Sequence, residues 1–290
     1  MTDMPFFGTA GNEDRFFEAG HKDVCEAPEY LRELGLDAYE YQGGHGINIQ
    51  KKKAELLGQK AKECGIRLSI HSPYYISMSG VDEEKRLNSI GYILKSAQAA
   101  REMGADRIVV HSGSCAKISR EQALETAKAT FRLAVDTLDE NGLGDIRICP
   151  ETMGKINQLG TVEEVIEICK VDERLIPCID FGHIYARTLG GLVEFEAFKA
   201  IFDAIENNLG SERLKSFHSH FSRIQFTENG GEKCHLTFDD RIYGPEFGPV
   251  AELCCKKGCR PVFICESSGT QAADACKMKE IYIEKQGGRQ

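Results

Sequence analysis

The sequence predicts an α/β fold, a (β/α)8 barrel, and three observations carry that prediction. Eight short apolar runs can be counted, each followed by a longer segment of helical period. Gly65, Gly104 and Gly142 stand just after three helical segments, where a C-cap glycine belongs. The chain has 290 residues, within the usual range for one barrel, so residues 1–290 are expected to form a single domain.

The strands are expected at Pro5–Ala10, Ala38–Tyr41, Arg67–His71, Arg107–His111, Arg147–Glu151, Leu175–Asp180, Leu214–His220 and Pro261–Glu266. The clearest helical patterns are residues 51–65, 83–105 and 120–142, so three successive units read helix, glycine, strand. Strict alternation of this kind implies a parallel sheet, and eight units imply closure. The stretch 221–245 after the seventh strand has no clear helix and reads as a functional loop.

Composition narrows the function classes. The formal charge of −9 argues against a general nucleic-acid binder, because non-specific affinity comes from Lys and Arg neutralising phosphates. It leaves open a site whose positive charge comes from metal ions. No apolar run approaches the roughly 18–20 residues of a membrane span, and the start MTDMPFFGTAGNEDR lacks the pattern of a signal peptide, so a cytoplasmic location is expected. The 12 cysteines contain no CxxC pair and no secreted disulfide framework. Cys254 and Cys255, in CCKKGC, are adjacent on a helical pattern and point roughly 100° apart, which disfavours a shared metal.

The chemistry lies where the strands end. His71, His111, Glu151, Asp180 and Glu266 each close an apolar run, and His218 sits near the end of the seventh. In a barrel these ends meet on one rim, the face where active sites lie. Singly, each histidine reads as a hydrogen-bonded loop residue and each carboxylate as a salt-bridge partner. Together, buried side by side, they require cations. The nitrogen and oxygen donors without cysteine fit zinc, manganese or iron(II). His183, in DFGH, and His235, in the loop after the seventh strand, extend the cluster, while His220 shares a strand face with His218. His45 in QGGHG is a candidate substrate contact, and His21 is expected at the surface.

With these residues in view, the chain resembles the endonuclease IV family of apurinic/apyrimidinic endonucleases, within the xylose-isomerase-like TIM barrel superfamily. The resemblance runs from the first strand to CESSG. It implies one ion on His71, His111 and Glu151, a second on Glu151, Asp180, His218 and Glu266, and a third on His183 and His235. It also implies catalytic roles for Glu151 and Glu266, a wedge at the lesion from Tyr74 and Tyr75, and abasic duplex DNA as the partner. The activity implied is hydrolysis of the phosphodiester 5′ to an abasic site, in DNA repair.

Three positions depart from the family's pattern. Lys233 stands where the family has an aspartate two residues before the last histidine, with Glu232 beside it as a replacement carboxylate. The first strand ends in GTAGNED without the usual histidine, and QGGHGIN lacks an expected arginine. If DNA is the substrate, Lys51, Lys52 and Lys53 are the candidates for a basic flank. The competing class is a sugar or sugar-phosphate isomerase or epimerase that needs only one ion on the Glu151, Asp180, His218, Glu266 quartet. His71, His111 and His235 discriminate, since a single-ion enzyme does not need them. A non-catalytic binding barrel has no use for the ligand set at all.

Overall fold

The computed structural model describes residues 4–115 and 118–288. The strands are β1 (Phe6–Ala10), β2 (Ala38–Gln42), β3 (Arg67–His71), β4 (Arg107–Val110), β5 (Arg147–Pro150), β6 (Cys178–Asp180), β7 (His218–Phe221), β8 (Arg223–Thr227), β9 (Gly231–Leu236) and β10 (Val262–Cys265). The helices are α1 (Asp14–Glu18), α2 (Ala27–Glu33), α3 (Lys51–Cys64), α4 (Glu83–Met103), α5 (Arg120–Glu140), α6 (Val162–Cys169), α7 (Phe181–Arg187), α8 (Phe195–Leu209), α9 (Ser211–Lys215), α10 (Gly248–Lys257) and α11 (Gln271–Gly287).

Eight parallel strands follow the order β5-β4-β3-β2-β1-β10-β7-β6. Isolated parallel bridges, Ile148 to Leu175 and Glu151 to Cys178, join the two end strands and close the barrel. Alternation sorts the side chains: Ala38, Val262 and Ile264 pack inside, whereas Phe7 and Phe263 stack outside under the helices, with Phe247 edge-on to Phe263. On α5, Ala123, Ala127, Phe131, Ala134 and Leu138 recur at helical spacing and are buried, so that face lies on the barrel. Gly65 and Gly104 close α3 and α4 in the left-handed region, as the pattern required. Gly142 also has a positive φ but lies one residue past the cap, Asn141. None of the described helices is long and apolar enough to cross a membrane.

The seventh unit differs from the expected one. Residues 211–215 form α9, so β7 begins at His218 and runs on to Phe221. The expected loop at 221–245 contains the antiparallel hairpin β8–β9. At the opposite end of the barrel Arg107, only 1% exposed, ion-pairs through Nε at 3.1 Å with Asp106, which also receives Nη2 of Arg67 at 2.7 Å.

Candidate metal centre

The C-terminal strand ends converge on Glu151, which β5 delivers to the barrel mouth. Four imidazoles surround its buried carboxylate: His71 Nε2 at 3.4 Å, His111 Nε2 at 3.1 Å, His183 Nδ1 at 3.4 Å and His220 Nδ1 at 3.0 Å. Asp180 and Glu266 complete the inner group, with one ligand atom each from Glu151, Asp180, His220 and Glu266 within 4.8 Å of one another. The ensemble opens into a cleft of about 420 Å³, lined also by Tyr74, Met153, Lys155, Gln158, Glu232 and His235.

Some of these donors are left without partners in the protein. Glu151 Oε2 and Asp180 Oδ2 are buried without a hydrogen-bond partner among the described residues. His71 and His111 lie close to that Glu151 oxygen, yet neither contact has hydrogen-bond geometry. Such orphaned buried oxygens are costly unless a cation meets them, and the donor set fits one. Asp180 illustrates the division of labour. Its Oδ1 accepts the His183 N–H at 2.7 Å and caps α7, which leaves Oδ2 for the centre.

The outer ring nitrogens are held as metal-binding histidines require. His71 Nδ1 meets the Ser72 carbonyl at 2.8 Å, and His183 Nδ1 meets the Thr152 carbonyl at 2.9 Å. His235 Nδ1 meets the Ser222 hydroxyl at 2.8 Å. In each ring Nε2 is left for the cleft.

Electrostatics follow from this crowding. Burial opposes ionisation of Glu151, but His220, His111 and His183 outweigh it and hold the carboxylate well below its usual range. Burial raises Asp180, reinforced by Glu266 and Glu151 against the pull of His183. Burial works against a charge on His183 and His220 too, yet the neighbouring acidic groups push both well above the ordinary imidazole value. In the metal-free chain both rings therefore hold their second protons more tightly than a free imidazole does. Loading with zinc should release them, on the order of one or two protons per chain. The release should fade as pH rises through the raised values, and calorimetry in buffers of different ionisation enthalpy measures it.

From β7, His220 rather than His218 reaches Glu151, while His218 groups with Cys178 and His220 deeper in the barrel. Both face inward, as spacing by two requires, but His220 is level with Asp180 and His218 is one layer deeper, level with Cys178. His218 Nε2 contacts Glu40 at 3.0 Å instead. Burial depresses its basicity to about 4 against the raising effect of Glu40. The apolar pattern places the start of the strand too early because Leu214 and Lys215 belong to α9.

A third group forms from His183, Glu232 and His235. On a regular strand Glu232 and His235, three apart, would face opposite ways. Gln225 pairs with Cys234 and Phe226 with Glu232, so Lys233 is the extra residue of a bulge. The bulge returns Glu232 to the face of His235 and turns Lys233 outward, exposed to solvent. Gly154 lets the hairpin approach: a Cβ there would sit 2.6 Å from Glu232 Cβ and 3.1 Å from His183 Cδ2.

The remaining candidates lie at the rim. Tyr74 is 51% exposed with its ring 5.0 Å from that of His71 and 5.6 Å from that of His111. Burial, with Glu266 and Glu151 nearby, pushes its phenol up to about 12. Tyr75 turns away against Tyr92, and exposed His45 stands edge-on to Tyr74 outside the cleft. Lys51, Lys52 and Lys53 are exposed at the start of α3, where Lys51 pairs with Glu55 and Lys53 with Asp23. They do not line the cleft; among its described lining residues Lys155 is the only Lys or Arg.

An uncharacterised protein of Methanocaldococcus jannaschii is 34% identical over 237 residues, covering 82% of this chain and 83% of that protein. A probable endonuclease 4 of Acholeplasma laidlawii is 29% identical over 165 residues, about half of either chain (54% and 55%). Among solved structures, a D-tagatose 3-epimerase-like protein superposes with a TM-score of 0.68 at 21% identity, covering 92% of this chain and 96% of that one. Endonuclease IV of Thermus thermophilus superposes with a TM-score of 0.63 at 18% identity, covering 91% and 94%. At such identities these two superpositions speak to the fold. The family model described as xylose isomerase-like TIM barrel matches residues 28–280, and the chain belongs to that family.

Proposed function

We propose that this chain is a metal-dependent phosphodiesterase of the endonuclease IV kind, hydrolysing the phosphodiester 5′ to an abasic site in DNA. The observation that carries the reading is the surplus of donors. The imidazoles of His71, His111 and His220 gather on Glu151, and His183, whose Nδ1 is taken by the Thr152 carbonyl, joins Glu232 and His235 in a second group, more donors than a single ion can use. Part of this chain is also similar to proteins named probable endonuclease 4.

Zinc, manganese or iron(II) held by these residues would supply the charge that polarises a phosphoryl oxygen and acidifies water. The chain's own residues do the rest. Glu151 bridges the inner groups, and Asp180 presents its free oxygen. Glu266, less buried than either, faces the cleft where it can take a proton from the attacking water. Lys155 offers a cation to the phosphate, and Tyr74 offers a ring face at the gap left by a missing base. With few cationic contacts available, affinity for a duplex should fall only shallowly with salt.

The second reading, a one-ion sugar isomerase or epimerase, is favoured by the compact Glu151, Asp180, His220, Glu266 quartet. One preparation separates the two. Incision 5′ to the lesion of a synthetic duplex, by protein with two or more ions per chain, supports hydrolysis. Protein with one ion per chain that leaves the duplex intact and interconverts a sugar or sugar phosphate supports isomerisation.

The bulge makes a further prediction. Glu232→Gln should weaken binding of the last ion at least about tenfold, whereas Lys233→Asp, on the outward face, should change it less than about twofold. Competition titration with a chromogenic zinc chelator reads both.

A further inference from the structure

We infer that Glu40 is a positioning residue for the metal centre, its buried carboxylate lying against His220 from below so that Nδ1 stays turned toward the ions. The inference rests on the metal-centre reading but not on the identity of the substrate.

Glu40 lies in the middle of β2 at an inward position, fully buried beneath the cluster. Its Oε1 is 2.9 Å from His220 Nε2, and its Oε2 is 3.0 Å from His218 Nε2 and accepts the Ser69 hydroxyl at 2.8 Å. His220 therefore spans two carboxylates. Nε2 faces Glu40 below, and Nδ1 faces Glu151 at 3.0 Å and Glu266 at 3.6 Å above. The contact with Glu40 is an ion pair without hydrogen-bond geometry, so the buried carboxylate acts on the ring through its charge and its close packing.

The other ligand rings set the contrast. His71, His183 and His235 rest their outer nitrogens on two carbonyls and a hydroxyl. His220 alone among these four rests on a carboxylate. A buried anion against the ring makes it a stronger donor to a cation than a neutral oxygen does. Because Ser69 and His218 anchor the same carboxylate, Glu40 is itself fixed by neighbours on both sides. Removing it leaves His220 free to flip and His218 without its partner.

The probe is cobalt(II) alone, titrated into metal-free full-length chain, with affinity and the visible absorption band read together. Glu40→Gln keeps the volume and one acceptor, and should weaken cobalt affinity at the inner group about tenfold. Glu40→Ala should weaken it towards about a hundredfold and shift the band. A purely structural role would instead lower the melting temperature of the metal-free chain while leaving the affinity and spectrum of the folded fraction unchanged. Should the alanine variant fail to fold, the isosteric glutamine variant still decides. Wild-type affinity and spectrum in folded Glu40→Gln overturn the inference alone. A wild-type chain that takes up no cobalt overturns the metal centre and this inference with it.

Discussion

Glu151→Gln should abolish hydrolysis at an abasic site, lowering the rate by roughly a thousandfold or more. The carboxylate sits among four imidazoles and belongs to both inner ligand groups, so replacing one of its oxygens with an amide weakens both at once. A metal ion contributes several kcal/mol to such a transition state, and each 1.36 kcal/mol is tenfold in rate. Bound metal should fall from two or more ions per chain to one or none, measured on the same preparation by elemental analysis. A variant that keeps its metal and its rate would remove Glu151 from the centre of the mechanism.

Asp106→Ala should cost about 3 kcal/mol of stability at pH 7, the low end for breaking a buried ion pair, since Asp106 itself is partly solvated. The damage comes from the partner: Arg107 is buried at the barrel floor and would lose its carboxylate. Burial opposes ionisation of Asp106, but Arg107 and Arg67 overcome it and hold the group below its usual range. A depressed carboxylate stabilises the fold above the ordinary value of 3.8, and that stability is lost as pH falls from there toward the folded value. Urea denaturation of wild type and variant at pH 7 and at pH 3 should therefore show a gap that narrows in acid.

Much of the fold was legible because the barrel repeats one signal. Apolar runs before helical segments located β2, β3 and β10 to within a residue or two, since each is buried on both faces. The seventh unit failed where α9 packs directly before β7 and its Leu214 mimics the start of a strand. Of the two histidines on that strand, the one the resemblance implies as a ligand, His218, lies one layer below His220, the one that reaches Glu151. Glu40 was missed although a signal existed: an acid between Tyr39 and Tyr41 in an otherwise apolar run takes an inward position by alternation and must find a partner there. The partner is 178 residues away, and no local pattern announces it. The hairpin β8–β9 escaped for a similar reason, since its short strands pair with each other and lie against the loop after β5, carrying no long apolar run of their own.

The extra residue in β9 separates a donor's address in the chain from its address in space. Whether the carboxylate at position 232 faces the cleft depends on where the ladder breaks, not on which side chain occupies position 233. Excising Lys233 would bring Glu232 and His235 two apart on an unbroken ladder and leave both facing inward, so the outermost site should survive a shorter strand. A ladder that absorbed Lys233 as an ordinary strand residue would instead turn one donor out to solvent while every donor stayed in the sequence. Relatives can therefore share this site with different spacing between the acid and the histidine, and can lose it with both residues intact. A column-by-column comparison that finds a lysine opposite an acid would miss the first case and miscount the second.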